Sequence, residues 1–126
     1  MSEIVYDSGA LIAADRNDRA FWADHRVRLE RGLVPVAPAP VVAQVSRSPR
    51  QVQLRRLLRG CRVLALDEAG AHGAGYLLGR AGTADVVDAH VVIVAMNSGA
   101  AVLSSDRSDL ERLAVAAGVP LRVVEV

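Results

Sequence analysis

Apolar residues come along this chain in short bursts, and the spacing inside the bursts alternates between two periods. Glu3 to Tyr6 forms a compact apolar run that reads as a strand, closed by Asp7-Ser8-Gly9. Ala10 to Ala14 predicts a short helix. Asp18 suits the N-cap of a longer one, with Phe21, Trp22, Val27 and Leu29 as its apolar contacts and Gly32 as its stop. Leu33 to Ala37 predicts a second strand, after which Pro38 and Pro40 open a short helix through Val45. Pro49 suits a first helical turn, and the helix from there to Arg59 carries Leu54, Leu57 and Leu58 on one stripe, ending at Gly60.

Arg62 to Leu66 predicts a third strand, and Asp67 caps a helix through Leu77 and Leu78. Thr83 to Ser98 has the valines of a strand but the length of a helix, with Thr83 as a candidate cap and Gly99 as a stop. We read it as a helix, apolar nearly all round and therefore buried. Ala101 to Ser104 predicts a fourth strand, Ser108 to Ala117 a helix stopped by Gly118, and Leu121 to Val124 a fifth strand. Strands alternating with helices imply a parallel sheet covered on both faces, an α/β fold.

The 126 residues suit one domain, spanning 1–126. Only four residues are aromatic, so valine, leucine and alanine must fill the core. All 15 cationic residues are arginine. From Arg31 to Leu66 there are seven arginines and no acid, whereas Asp67 to Glu111 holds seven acids against Arg80 and Arg107. A basic stretch beside an acidic one suits phosphate steering next to cation capture, although a solvated helix face would look similar. Cys61 is the lone cysteine, which excludes an internal disulfide and a cysteine zinc site. The N-terminus lacks a basic n-region and places Asp7 inside its apolar stretch, so neither a signal peptide nor a membrane anchor is expected; the expected location is cytoplasmic.

In an open parallel sheet, ligands lie outside the carboxyl ends of the strands. Asp7 directly follows the first strand and Asp106 follows the fourth, so both are expected at one edge. Asp88 lies one turn into the apolar helix, with Asp85 three residues earlier on the same side. Two unpaired carboxylates ~4 Å apart repel by about 4 kcal/mol at an effective dielectric near 20. With no lysine and the arginines mostly elsewhere, a divalent cation is the remedy, and hard oxygen ligands select Mg²⁺ or Mn²⁺. Asp7, Asp85 and Asp106 also suit helix caps, whereas a mid-helix Asp88 without a basic partner is harder to place that way. His25, His72 and His90 have no ligand spacing; His90 is expected in the core.

The segments IVYDSGALIA (4–13), PVVAQVSR (40–47), DVVDAHVVIVA (85–95) and VLSSDRSDLERLA (102–114) resemble the four signature blocks of PIN-domain proteins, in order and spacing. They are most similar to toxin ribonucleases of the virulence-associated protein C type. The resemblance implies a PIN-like three-layer α/β/α sandwich around a parallel sheet, an acidic site for Mg²⁺ or Mn²⁺, and hydrolysis of RNA. It also implies a cognate antitoxin and a homodimer. Carried over by position, Asp7, Asp88 and Asp106 are the acids, with Ser8 and Ser105 as hydroxyls beside the metal. Asp85 and Asp109 are further carboxylates able to coordinate through water. Gln44 stands where the pattern has a glutamate; it keeps a carbonyl oxygen but loses the charge and cannot act as a base.

The resemblance therefore implies two alternative functions: a metal-dependent endoribonuclease, with Arg47, Arg50, Arg55 and Arg59 holding the RNA backbone by charge, or a scaffold weakened or silenced by Gln44 that binds RNA or a partner. A phosphatase or phospho-accepting receiver also uses strand-end aspartates, but needs a lysine that this chain lacks.

Overall fold

The structure is a computed structural model that describes residues 3–126. Short apolar runs make the strands, buried in β1, β2 and β4 and more exposed in the edge strands β3 and β5. β1 (Ile4–Tyr6), β2 (Val36–Pro38), β3 (Arg62–Leu64), β4 (Ala101–Ser104) and β5 (Val123–Glu125) form one sheet in the order β3-β2-β1-β4-β5. Every pairing is parallel. The order reverses between β1 and β4, which creates a topological switch point at their carboxyl ends.

Helices α1 (Ser8–Asp15), α2 (Arg19–Glu30), α3 (Ala39–Val45) and α4 (Val52–Arg59) fill the connections on one side of the switch, and α5 (Glu68–Ala81), α6 (Val86–Ser98) and α7 (Arg107–Ala117) those on the other. α1 packs on α2, α3 and α4, while α5, α6 and α7 pack on one another. Right-handed crossovers place the two groups on opposite faces of the sheet. α6 is buried as its composition demands, with Val91, Val92, Val94 and Ala95 in the core alongside Val5, Val36 and Val102.

Local chemistry sets the element ends. Asp18 accepts from Phe21 N–H and Asp67 from Gly70 N–H as N-caps. Gly99 and Gly118 close α6 and α7 with φ of 65° and 72°, a left-handed geometry that glycine adopts without strain. Several expected boundaries move. Thr83 is not the cap of α6; Asp85 is, because its carboxylate accepts from Asp88 N–H. The second strand is not Leu33–Ala37 but Val36–Pro38, since Pro38 needs no N–H at the end of a parallel ladder and serves as the residue before α3. Pro49 precedes α4 in a turn rather than sitting in its first turn.

Three of the four aromatics cluster, and the fourth, Tyr76, is exposed on α5. Tyr6 meets Phe21 edge-on at 5.5 Å, and Trp22 and His25 complete the group. Arg28 donates to the Tyr6 hydroxyl at 3.0 Å, and that hydroxyl meets His25 Nδ1 at 2.8 Å. Burial pushes the Tyr6 phenol up to about 12, so the hydroxyl keeps its proton.

Candidate functional site

β1 pairing with β4 continues one residue past the strand, where Asp7 N–H donates to the Leu103 carbonyl at 3.0 Å. The register Val5↔Val102 and Tyr6↔Leu103 then sets Asp7 opposite Ser104. Asp7 occupies the N-cap position of α1, yet its side chain caps nothing. It turns to β4 instead: Ser104 Oγ donates to Asp7 Oδ2 at 2.6 Å and accepts from Asp106 N–H at 2.9 Å. Asp7 is 1% exposed and Ser104 is 0% exposed, so the bond between them is buried, while Asp106 at the other end of the relay is exposed. Burial raises the Asp7 carboxyl above its ordinary range; Ser104 and the Ser8 N–H pull it back, and the charges of Asp106 and Asp85 push it up again.

The second group of acids comes from two helix starts. Asp85 and Asp88 open α6, and Asp109 lies in the first turn of α7, where helix dipoles favour negative charge. Asp85, Asp88 and Asp109 line a cavity of about 170 Å³ together with Arg112. Arg112 was not foreseen as a neighbour of Asp88. Asp88 is pushed up to about 7, first by burial and then by the charges of Asp85, Asp7, Asp106 and Asp109. Among the described residues, none of these five aspartates takes part in an ion pair. Three separated stretches thus deliver carboxylates that raise one another's pKa, and although Arg112 lines the same cavity, it forms no ion pair with them among the described residues.

Among the described residues, no three acids or histidines stand together as a ready-made metal cage. Mg²⁺ rarely uses one: it keeps several waters and is held through one or two carboxylates plus substrate phosphates. The oxygen donors of these acids, their lack of ion-pair partners among the described residues and the raised Asp88 fit a hard divalent cation held in that open way.

The remaining expected residues separate clearly. Ser8 acts on Asp7 through its backbone, and Ser105 is exposed. Ser105 instead packs on Gly9, where a Cβ would lie 2.7 Å from its Oγ, so glycine lets the start of α1 approach the β4–α7 turn. The buried hydroxyl beside Asp7 is Ser104, a residue the sequence reading passed over. The parity of β4 was its signal, since Ser104 shares a face with Val102. Gln44 is exposed on the last turn of α3, a helix that contacts both α1 and α6.

Arg47 donates to the Ala43 and Ser46 carbonyls at 3.0 and 2.8 Å, and Arg55 to the Pro49 carbonyl, so both brace the α3–α4 turn. Arg50 and Arg59 are exposed, and among the described residues their guanidiniums have no hydrogen-bond partner. His90 is buried in α6, and its Nδ1 has no hydrogen-bond partner among the described residues.

No sequence-family profile and no curated protein matches the chain. Solved structures do. VapBC2 from Rickettsia felis, bound to a DNA fragment from its promoter, aligns with a TM-score of 0.67 at 13% identity over 98% of both chains. PAE2754 from Pyrobaculum aerophilum aligns at 0.62 and 17% identity over 99% of this chain and 91% of its own. FitAcB from Neisseria gonorrhoeae aligns at 0.61 and 14% identity over 95% of each. The chain shares the PIN-like fold of these structures across nearly its whole length.

Proposed function

We propose that the chain is a metal-dependent endoribonuclease, the toxin of a toxin–antitoxin pair, acting at the acidic edge of its sheet. The observation that supports this reading is that Asp88 feels the charges of Asp85, Asp7, Asp106 and Asp109, and that none of the five has an ion-pair partner among the described residues. The sequence blocks shared with toxin ribonucleases and the fold shared with VapBC2 and FitAcB support it.

In this reading Asp7, Asp88 and Asp106 would hold Mg²⁺ or Mn²⁺, with Asp85 and Asp109 as further carboxylates near it. A cation held there would supply charge neutralisation for the scissile phosphate and would make water more acidic. The protein's own groups do the rest. Ser104 fixes the Asp7 carboxylate by one hydrogen bond and the Asp106 backbone by another, so the two acids move as one unit. Asp106 leaves its carboxylate unbonded at the N-cap of α7, free to accept the proton of the attacking water. Water oxygen bonds to phosphorus, the bond from phosphorus to the 3′ oxygen breaks, that oxygen takes a proton from solvent, and the products are a 5′-phosphate and a 3′-hydroxyl. Arg50 and Arg59 hold the RNA backbone by charge, while Arg47 and Arg55 keep the α3–α4 turn in shape. A cognate antitoxin covers this edge, and the toxin is a homodimer.

Cleavage of a mixed RNA pool with Mn²⁺ tests the reading. Wild type should generate 5′-phosphate ends, and Asp7→Asn and Asp88→Asn should not, while keeping their circular dichroism. Equal cleavage by all three proteins, or none with Mn²⁺ or Mg²⁺, would remove the nuclease assignment.

A further inference from the structure

A second cavity, of about 500 Å³, lies between α2 and the end of α4 and shares no lining residue with the carboxylate cavity. Arg19, Arg26 and Arg56 surround it, with Trp22, Leu29 and His25 between them, and no acid contributes to its wall. Among the described residues none of these three arginines is ion-paired. Arg56 is fixed by its stack on Trp22, with the guanidinium 4.5 Å from the ring centre. Three arginines lining one recess whose wall holds no acid make it positive.

His25 adds a directed donor. It is 3% exposed, and its Nδ1 faces the Tyr6 hydroxyl at 2.8 Å. Arg28 already donates to that hydroxyl, so the phenolic proton is satisfied by pointing at Nδ1. The ring proton then sits on Nε2. A Cβ on Gly60, which also lines the cavity, would lie 3.5 Å from Nε2, which places this atom at the cavity wall. Among the described residues Nε2 has no hydrogen-bond partner. Burial and the nearby Arg28 and Arg56 lower the pKa of the ring, in keeping with a neutral donor.

We propose that this cavity binds a phosphate group, most favourably the phosphate of a nucleotide. Three guanidiniums and one N–H around a single recess offer more donors than the two oxygens of a carboxylate can use, whereas a phosphate offers more acceptors and carries up to two charges. Trp22 and Leu29 give apolar surface for the attached nucleoside. This site is independent of the carboxylate edge and of any metal there.

Chelator-treated protein tests it by calorimetry, alongside nitrogen-15 spectra of the His25 ring. The probes are inorganic phosphate, adenosine 5′-monophosphate and adenosine. Inorganic phosphate and the monophosphate should both saturate the site, the monophosphate more tightly, and shift His25 Nε2. Arg26→Gln and Arg56→Gln should each weaken binding by roughly tenfold, the size of one charge-assisted hydrogen bond. Arg80→Gln on α5, outside the cavity, should leave binding unchanged. Binding of inorganic phosphate alone upholds the phosphate site and removes the nucleoside from it. Adenosine binding as tightly as the monophosphate, equal affinities in every variant, or no saturable binding would each overturn the proposal.

Discussion

Replacing Asp88 by asparagine removes one charge from the acidic edge while keeping the shape of the side chain. In the metal-free protein its carboxyl is pushed up to about 7, with burial first and four neighbouring carboxylates after it. A rise of about three pH units corresponds to about 4 kcal/mol before screening. The group is only half-buried, so solvent reduces the penalty to about 1–2 kcal/mol. The sign follows from proton linkage. Between the unfolded pKa near ~4 and the folded value, the native state binds more protons, so stability falls as pH rises through that window.

Urea unfolding in chelator at pH 5 and pH 8 measures this directly. Wild type should lose about 1–2 kcal/mol between the two conditions from Asp88. Asp88→Asn should keep only the slope left by Asp7, and should therefore be more stable than wild type at pH 8. Adding Mn²⁺ should restore wild type at pH 8 and stabilise the variant markedly less. Identical pH slopes in the two proteins would refute the claim that Asp88 sits in uncompensated negative charge.

Three further outcomes follow from the same geometry. Ser104→Ala strips the donor from Asp7 and the acceptor from Asp106 N–H, and should destabilise by about 1–3 kcal/mol in urea. The loss should be larger at pH 8 than at pH 4, because Asp7 loses a bond that favours its charged form. Gly9→Ala sets a methyl against Ser105, at 2.7 Å from Oγ and 3.2 Å from its backbone nitrogen, and should lower stability by about 1 kcal/mol in the same assay. Gln44→Glu adds a charge on the helix that packs against α1 and α6, and should raise Mn²⁺-dependent RNA cleavage; unchanged cleavage would show that the missing charge is not limiting.

Much of the scaffold could be read from local rules. β4 runs over Ala101–Ser104 as its valine and leucine dictate, and Gly99 and Gly118 stop helices because only their backbones turn left-handed without cost. Asp18 and Asp67 cap where capping chemistry puts them. What escaped depends on register and on contacts distant in sequence. Choosing Ser104 over Ser105 requires knowing that Asp7 lies opposite the fourth residue of β4, which pairing decides and neither strand reveals alone. Asp85 won the cap of α6 from Thr83 because the helix starts two residues later than its apolar pattern suggests. Arg112 enters the acidic cavity only through the packing of α7 on α6, and Arg47 and Arg55 were expected on RNA before their bonds to the α3–α4 turn were visible.

Calorimetric titration of Mn²⁺ into wild type, Asp7→Asn, Asp88→Asn and Asp106→Asn is the most direct examination of a shared cation site. Saturable binding to wild type, weakened by roughly tenfold or more in each variant, is the expected result, since every substitution removes charge from the same small region. Binding that survives unchanged in all three, or is lost in only one, would mean that the aspartates act separately and that no common ion joins them.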